Sequence, residues 1–274
     1  VELPPRNPWQ QRLVAVSQYA TLFVGTRFPQ SVPLVFVVGF PKSGTTWAAQ
    51  LVADYLQLPF PQQYLFPVGF QAVVHGHFRV RPTMQRLIYM VRDGRDTMAS
   101  LYFHLQNDYP RMPLRWRRMV GRLRNNGDIR KNMPAFIEWQ MKRPFGCHLN
   151  WADHVRAFLD MRQRRRIPLL KYEQMLHDAE GTLSEAMTDL LGCPSSPERI
   201  RATVERFSFG RQSGRKAGEE NRSSFLRKGQ AGDWVNHFTR EAAELFDHHC
   251  GEALVALGYV KDRSWVEQCR PGPE

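Results

Sequence analysis

The chain has 274 residues, 42% of them hydrophobic, and a formal net charge of +12. That is apolar material enough for one large core, and an α/β fold of this size is expected as a single domain over residues 1–274. No run reaches the roughly 18 apolar residues that a membrane-crossing helix needs, and the charge favours anionic partners: nucleic acid, a membrane surface or a small polyanionic ligand.

The four cysteines (Cys147, Cys193, Cys250 and Cys269) are scattered and form no CxxC. Neither a metal framework nor a disulfide scaffold is suggested, and a reducing cytoplasm fits best. Val1-Glu2-Leu3-Pro4-Pro5 lacks the basic and apolar regions of a signal peptide and opens without Met, which is compatible with processing. Residues 1–33, proline-rich at both ends, are expected to form an N-terminal arm, helical or extended.

Residues 34–38 read as a buried strand. Gly39, Pro41 and Gly44 then force a tight turn, and a helix is expected over 45–56, with Trp47, Leu51 and Tyr55 on one face. A glycine-bearing turn entering a helix presents unpaired backbone N–H groups, which bind phosphate with help from the helix dipole. Lys42-Ser43-Gly44-Thr45-Thr46 packs one cation and three hydroxyls around that turn. The pattern is not G-x-x-x-x-G-K-[ST], because Lys42 precedes Gly44. The bland alternative is a βα turn with an incidental lysine.

Residues 59–70 read as a loop and 72–75 as a short strand. A buried strand at 87–91 ends at Arg92-Asp93-Gly94-Arg95-Asp96 and feeds a helix through about 103. Charged residues at the end of a parallel strand are where ligands bind in open α/β sheets. Residues 105–133, rich in Arg, Asn, Gly and Pro, are expected to be a mobile segment or a short helix with a solvated face, with an active-site or lid role. Helices are expected at 134–140, 150–163, 173–177 and 182–191, the last stopped by Gly192. A strand is expected at 167–172, and Pro168 confines it to a sheet edge or strand start. Residues 208–233 form a long basic, glycine-bearing stretch suited to closing over an anion. A final helix is capped by Thr239 and runs to about 256. The fold expected is a central, mostly parallel sheet with helices on both faces and a P-loop-like phosphate-binding βα turn.

Three stretches carry a family resemblance. Phe40-Pro41-Lys42-Ser43-Gly44-Thr45-Thr46-Trp47, Arg92 with Ser100, and Arg227-Lys228-Gly229-Gln230-Ala231-Gly232-Asp233-Trp234 resemble the signatures of the cytosolic-type sulfotransferases, over roughly residues 34–245. The resemblance implies a donor, 3′-phosphoadenosine 5′-phosphosulfate (PAPS), that leaves as 3′-phosphoadenosine 5′-phosphate (PAP). Lys42, Ser43, Gly44, Thr45 and Thr46 would cradle the 5′-phosphosulfate. Arg92, Ser100, Arg227 and the backbone of Gly229 would meet the 3′-phosphate, where an arginine fork suits phosphate, and Lys228 is a further donor-binding position. Trp47, Tyr172 and Phe209 match positions that contact adenine, and the bland alternative for each is an ordinary core aromatic.

The family's base is a histidine in a Lys-Thr-His segment, which aligns with His75-Gly76-His77. That makes His77 the general base, and a slip of two residues would choose His75 instead. Lys42 would stabilise the leaving phosphate, and His75 stands where the family has a lysine, so a second cation must come from a protonated His75 or from elsewhere. The spacing from His77 to Arg92 is also shorter than in the animal enzymes, so their acceptor specificity is not assumed. The animal dimer motif is incomplete: Thr239 and Glu244 are kept, but Val235 and Arg240 are not the family residues, so monomer or dimer stays open. No metal is expected, and Asp93 and Asp96 are expected to brace the arginines.

The acceptor is a small molecule bearing a hydroxyl, less so an amine. Phe60, Tyr64, Phe66, Phe70 and Phe78 would suit an apolar or aromatic alcohol, and arginines among residues 111–124 an acidic one. The rival readings are a metal-dependent kinase, a binding protein without catalysis, and a nucleic-acid binder argued by charge alone.

Overall fold

A computed structural model of the chain describes residues 8–62, 68–112, 114–222, 224 and 226–272. Four strands form one parallel sheet in the order β2-β1-β3-β4: β1 (Val35–Gly39), β2 (Val73–Gly76), β3 (Arg86–Val91) and β4 (Leu169–Lys171). Central parallel strands are covered on both faces, so β1 and β3 read as unbroken apolar runs instead of alternating.

Successive side chains nevertheless point to opposite faces. Val35, Val37, Ile88 and Met90 pack with α2 (Thr45–Leu56), α8 (Ala179–Leu191) and α9 (Pro197–Arg206). Phe36, Val38, Leu87, Tyr89 and Val91 face α3 (Gly94–Asp108), α5 (Ile129–Lys142), α6 (Trp151–Arg164) and α11 (Arg240–Ala256). Between these helices in the chain lie α1 (Pro8–Arg27), α4 (Leu114–Asn126), α7 (Tyr172–His177) and α10 (Phe209–Ser213). The strand after β1 pairs on one side of it, and the chain then crosses to β3 on the other side. The carboxyl ends of β1 and β3 therefore border the crevice where such sheets bind ligands.

Several expectations shift for local reasons. The strand expected at 167–172 is only three residues long: Pro168 has no N–H, although its carbonyl accepts from Tyr89, and Tyr172 already begins α7. The helix expected from residue 134 starts five residues earlier, because Asp128 caps it by accepting from the Arg130 amide at 2.8 Å. Residues 105–133 are mostly helical: the end of α3, a 3₁₀ turn (Tyr109–Arg111), α4 and the start of α5. Arg117, Arg118, Arg122 and Arg124 form the solvated face of α4, while Val120 and Leu123 are buried. Two helices were not anticipated, α9 and α10, although Ser196-Pro197 is a cap followed by proline at the first helical position. Thr239 caps α11 as expected, accepting from the Ala242 amide.

Candidate active site

The crevice holds a cavity of about 580 Å³ whose walls come from distant parts of the chain. The first wall is the β1–α2 turn. Gly39 ends β1 so close to β3 that a Cβ there would lie 2.3 Å from the Met90 carbonyl oxygen. Lys42 takes φ 68°, a left-handed conformation that costs an L residue about 1–2 kcal/mol. Gly44 follows at φ 90°, with Tyr172 and Met90 against it. The first N–H groups of α2 have no intrahelical acceptor. Lys42, Gly44, Thr45, Thr46 and Trp47 all line the cavity, whereas Ser43 is fully buried behind it. Burial, reinforced by the charge of Arg92, lowers the Lys42 pKa to about 8.

The second wall is the end of β3 and the first turns of α3. Arg92 donates to the Gln230 carbonyl (3.1 Å), lies 3.6 Å from Asp96, and stacks over the Tyr172 ring at 4.4 Å. Asp96 in turn accepts from the Gly232 and Trp234 amides at 2.7 and 2.9 Å, tying α3 to the third sequence signature. Asp93 accepts from Arg95, whose guanidinium stacks on Trp234 and Trp265. Both aspartates thus brace arginines, as expected. Ser100 faces the cavity one turn and more into α3, and His104 lies four residues further on the same face.

The third wall is the basic stretch. Arg227 lies over Phe103 and is paired with Glu220 and, at 2.6 Å, with Asp233. Lys228 also reaches Asp233, at 2.7 Å. The hydrogen bond from His237, with those from Lys228 and Arg227, holds the Asp233 carboxyl well below its usual range. Gly229 takes φ 62°, and a Cβ there would meet the Phe209 ring at 2.7 Å. Phe209, Tyr172 and Trp47 line the same end, with Trp47 anchored by its indole N–H to the Phe207 carbonyl (2.9 Å).

His75 and His77 close the cavity from β2 and the residue after it. His77 Nδ1 sits 2.7 Å from the Gly39 carbonyl. A carbonyl only accepts, so Nδ1 carries the proton and Nε2 keeps its lone pair. Burial, with Lys42 nearby, lowers the His77 pKa, against the Gly39 bond that raises it. His75 is pushed down to about 4, by burial and then by His77. At that pKa the ring is neutral at physiological pH. Its ring packs on Phe60, and Thr46 Oγ1 lies 3.5 Å from its Nε2.

A second cavity, of about 950 Å³, shares Gln62, His75, His77 and Gly146 with the first. Its other walls come from α1, α4, α5 and the strand face: Leu22, Phe36, Val74, Phe78, Trp116 and Trp139, with Arg143 and Cys147. Among the described residues of the aromatic lining expected for an acceptor, only Phe78 lines it. Phe60 is packed on His75, Phe70 is exposed, and Tyr64 and Phe66 lie outside the described residues. Arg117, Arg118, Arg122 and Arg124 of α4 line neither cavity, but Trp116 on that helix lines the second. His104, missed in the sequence, had a signal in its i, i+4 spacing from Ser100. Gln62 and Phe145 had none.

A model described as the sulfotransferase domain matches residues 75–258, so the chain belongs to the sulfotransferase family. Human sulfotransferase 2B1 is 24% identical over 250 residues, covering 78% of this chain and 64% of that protein. Rat sulfotransferase 2A6 is 30% identical over 257 residues, covering 78% of this chain and 81% of its own length. The chain thus spans less than two thirds of the human relative. In fold it is similar to mouse sulfotransferase SULT7A1 complexed with PAP, with a TM-score of 0.64 at 21% identity over 93% of this chain and 94% of that one. It is also similar to retinol dehydratase in a complex with retinol and PAP, with a TM-score of 0.58 at 18% identity, covering 92% and 96%.

Proposed function

We propose that the protein transfers the sulfuryl group of PAPS directly to a hydroxyl, less readily an amine, of a small acceptor. The observation that carries this reading is the junction of the two cavities at His77, with its Nε2 lone pair free and Lys42 on the other side. The first cavity's donor set fits a bisphosphorylated nucleotide. The Ser43 and Thr45 hydroxyls and Arg92 Nε are buried without a hydrogen-bond partner, beside Lys42 and Arg227 and an aromatic end. When bound, the donor supplies an activated sulfuryl group.

The roles divide by chemistry. Lys42, with Ser43, Gly44, Thr45 and Thr46, holds the 5′ side and stabilises charge on the leaving phosphate as the S–O bond breaks, where an electrostatic contact counts most. Arg92, Ser100, Arg227, Lys228 and Gly229 hold the 3′-phosphate, and Trp47, Tyr172 and Phe209 the adenine. His77 takes the acceptor proton at Nε2 while its Nδ1–H stays on Gly39. His75 positions Thr46 and the His77 ring as a neutral neighbour. The second cavity receives the acceptor, and its mainly aromatic and aliphatic walls favour an apolar or aromatic alcohol.

The same reading assigns charge neutralisation to these side chains without a metal and leaves no role for nucleic acid. Four free cysteines suit a cytoplasmic setting. Sulfated product should form from PAPS and a panel of alcohols, undiminished by a metal chelator, and be lost with His77→Ala. Turnover of ATP with magnesium, and none of PAPS, would favour a kinase instead.

A further inference from the structure

The helix α1 has a buried side and an exposed apolar one. Ser17, Thr21 and Leu22 are buried, and Thr21 Oγ1 accepts from the Val68 amide at 2.8 Å, so the inner side is pinned to the body. Trp9, Leu13, Val16 and Phe23 recur at helical steps on the outer side. Trp9, Val16 and Phe23 are 65%, 65% and 62% exposed, and Phe28 continues the patch just past the helix. Scattered single apolar residues on a surface need no explanation, but a contiguous run of large ones does.

We infer that this outer face of α1 docks the protein onto an anionic lipid bilayer. Charge chooses the occupant. No Asp or Glu occurs between Glu2 and Asp54, and Arg12 and Arg27 are exposed on the same helix, Arg27 stacking on Phe28. Two arginines beside exposed Trp and Phe, with no acidic residue on the helix, suit a surface that is both apolar and negatively charged. A second copy docked through the same face would set Arg12 and Arg27 against their own images, with no carboxylate on the helix to pair them, which opposes self-association. No described helix is long and apolar enough to cross a membrane, so the attachment is to the surface.

The position of the helix gives the attachment a consequence. Val14, Gln18, Thr21 and Leu22 of α1 are also a wall of the larger cavity, and the exposed Tyr19 and His148, 3.3 Å apart, stand at its rim. A bilayer on the outer face would therefore hold the same helix whose opposite side walls that cavity.

Docking does not depend on the sulfuryl-transfer reading, and its test is separate from activity. The full chain is floated with vesicles of phosphatidylcholine, with and without phosphatidylserine, at low and high salt. Wild type is expected to float with the anionic vesicles, more weakly with neutral ones, and less as salt rises. Trp9→Ala with Phe23→Ala should weaken partition by about a hundredfold, taking roughly tenfold per buried ring. Val16→Glu should weaken it too. All three side chains are exposed, and unchanged PAP titrations and thermal melting would verify that the variants fold. Wild type that stays in the dense fraction with every vesicle would overturn the inference, as would variants that float like wild type. A dimer of wild type that the same substitutions dissolve would overturn it in favour of a second copy as the occupant.

Discussion

The two cavities that meet at His77 are built by different rules. The smaller one is made of turns and charges at the ends of β1 and β3, and most of its contacts are demanded by backbone geometry: φ 68° at Lys42, φ 90° at Gly44, φ 62° at Gly229. The larger is made of side chains from α1, α4, α5 and the strand face, more than a hundred residues apart in sequence. A phosphate site admits few solutions, because phosphate needs cations and oriented N–H groups. An apolar cavity admits many, because any side chains of suitable volume close it.

If that contrast is right, substitutions should separate donor from acceptor. His77 belongs to both cavities, and its loss should have the largest effect. His77→Ala should lower kcat by about 10²–10⁴, the range for a general base, with PAP affinity unchanged by calorimetry. A weakened PAP affinity would move His77 to the donor side alone.

The pH profile sharpens the division next. The base must be neutral, and burial lowers the His77 pKa, so the acid limb of kcat/KM should fall below pH 6.5. Lys42 must be charged, so kcat/KM should fall as pH rises past about 8, roughly tenfold per pH unit. Lys42→Arg should move that alkaline limb upward and leave the acid limb in place.

Smaller effects should stay on one side. Gly229→Ala would strain a left-handed residue, at about 1–2 kcal/mol, and push a methyl into the Phe209 ring. PAP should bind about tenfold more weakly, with acceptor KM unchanged. Trp116→Ala removes one wall of the larger cavity and should raise acceptor KM by roughly threefold to tenfold, leaving the PAP titration as it was. An effect of Trp116→Ala on PAP binding would break the comparison.

The same contrast explains what the sequence disclosed. The β1–α2 turn and the end of β3 were legible because buried parallel strands are apolar runs and glycines mark forced conformations. That Tyr172 and Phe209 would line the first cavity was legible only through family resemblance, since nothing local separates a cavity wall from a core aromatic. On the acceptor side, Phe78 lines the larger cavity, while Phe60 packs on His75 and Phe70 is exposed. Trp116, Trp139 and the α1 wall reach the cavity by packing over long distances, which leaves no periodic trace. The burial that lowers the His75 pKa to about 4 is likewise not visible in the chain.

The central claim is that the Lys42 turn is a nucleotide phosphate site. Calorimetric titration of wild type and Lys42→Ala with PAP, without metal, tests it most directly. Micromolar or tighter binding by wild type, weakened about tenfold or more in the variant, is the predicted result. No heat with well-folded wild type, or equal affinity in the two proteins, would contradict it.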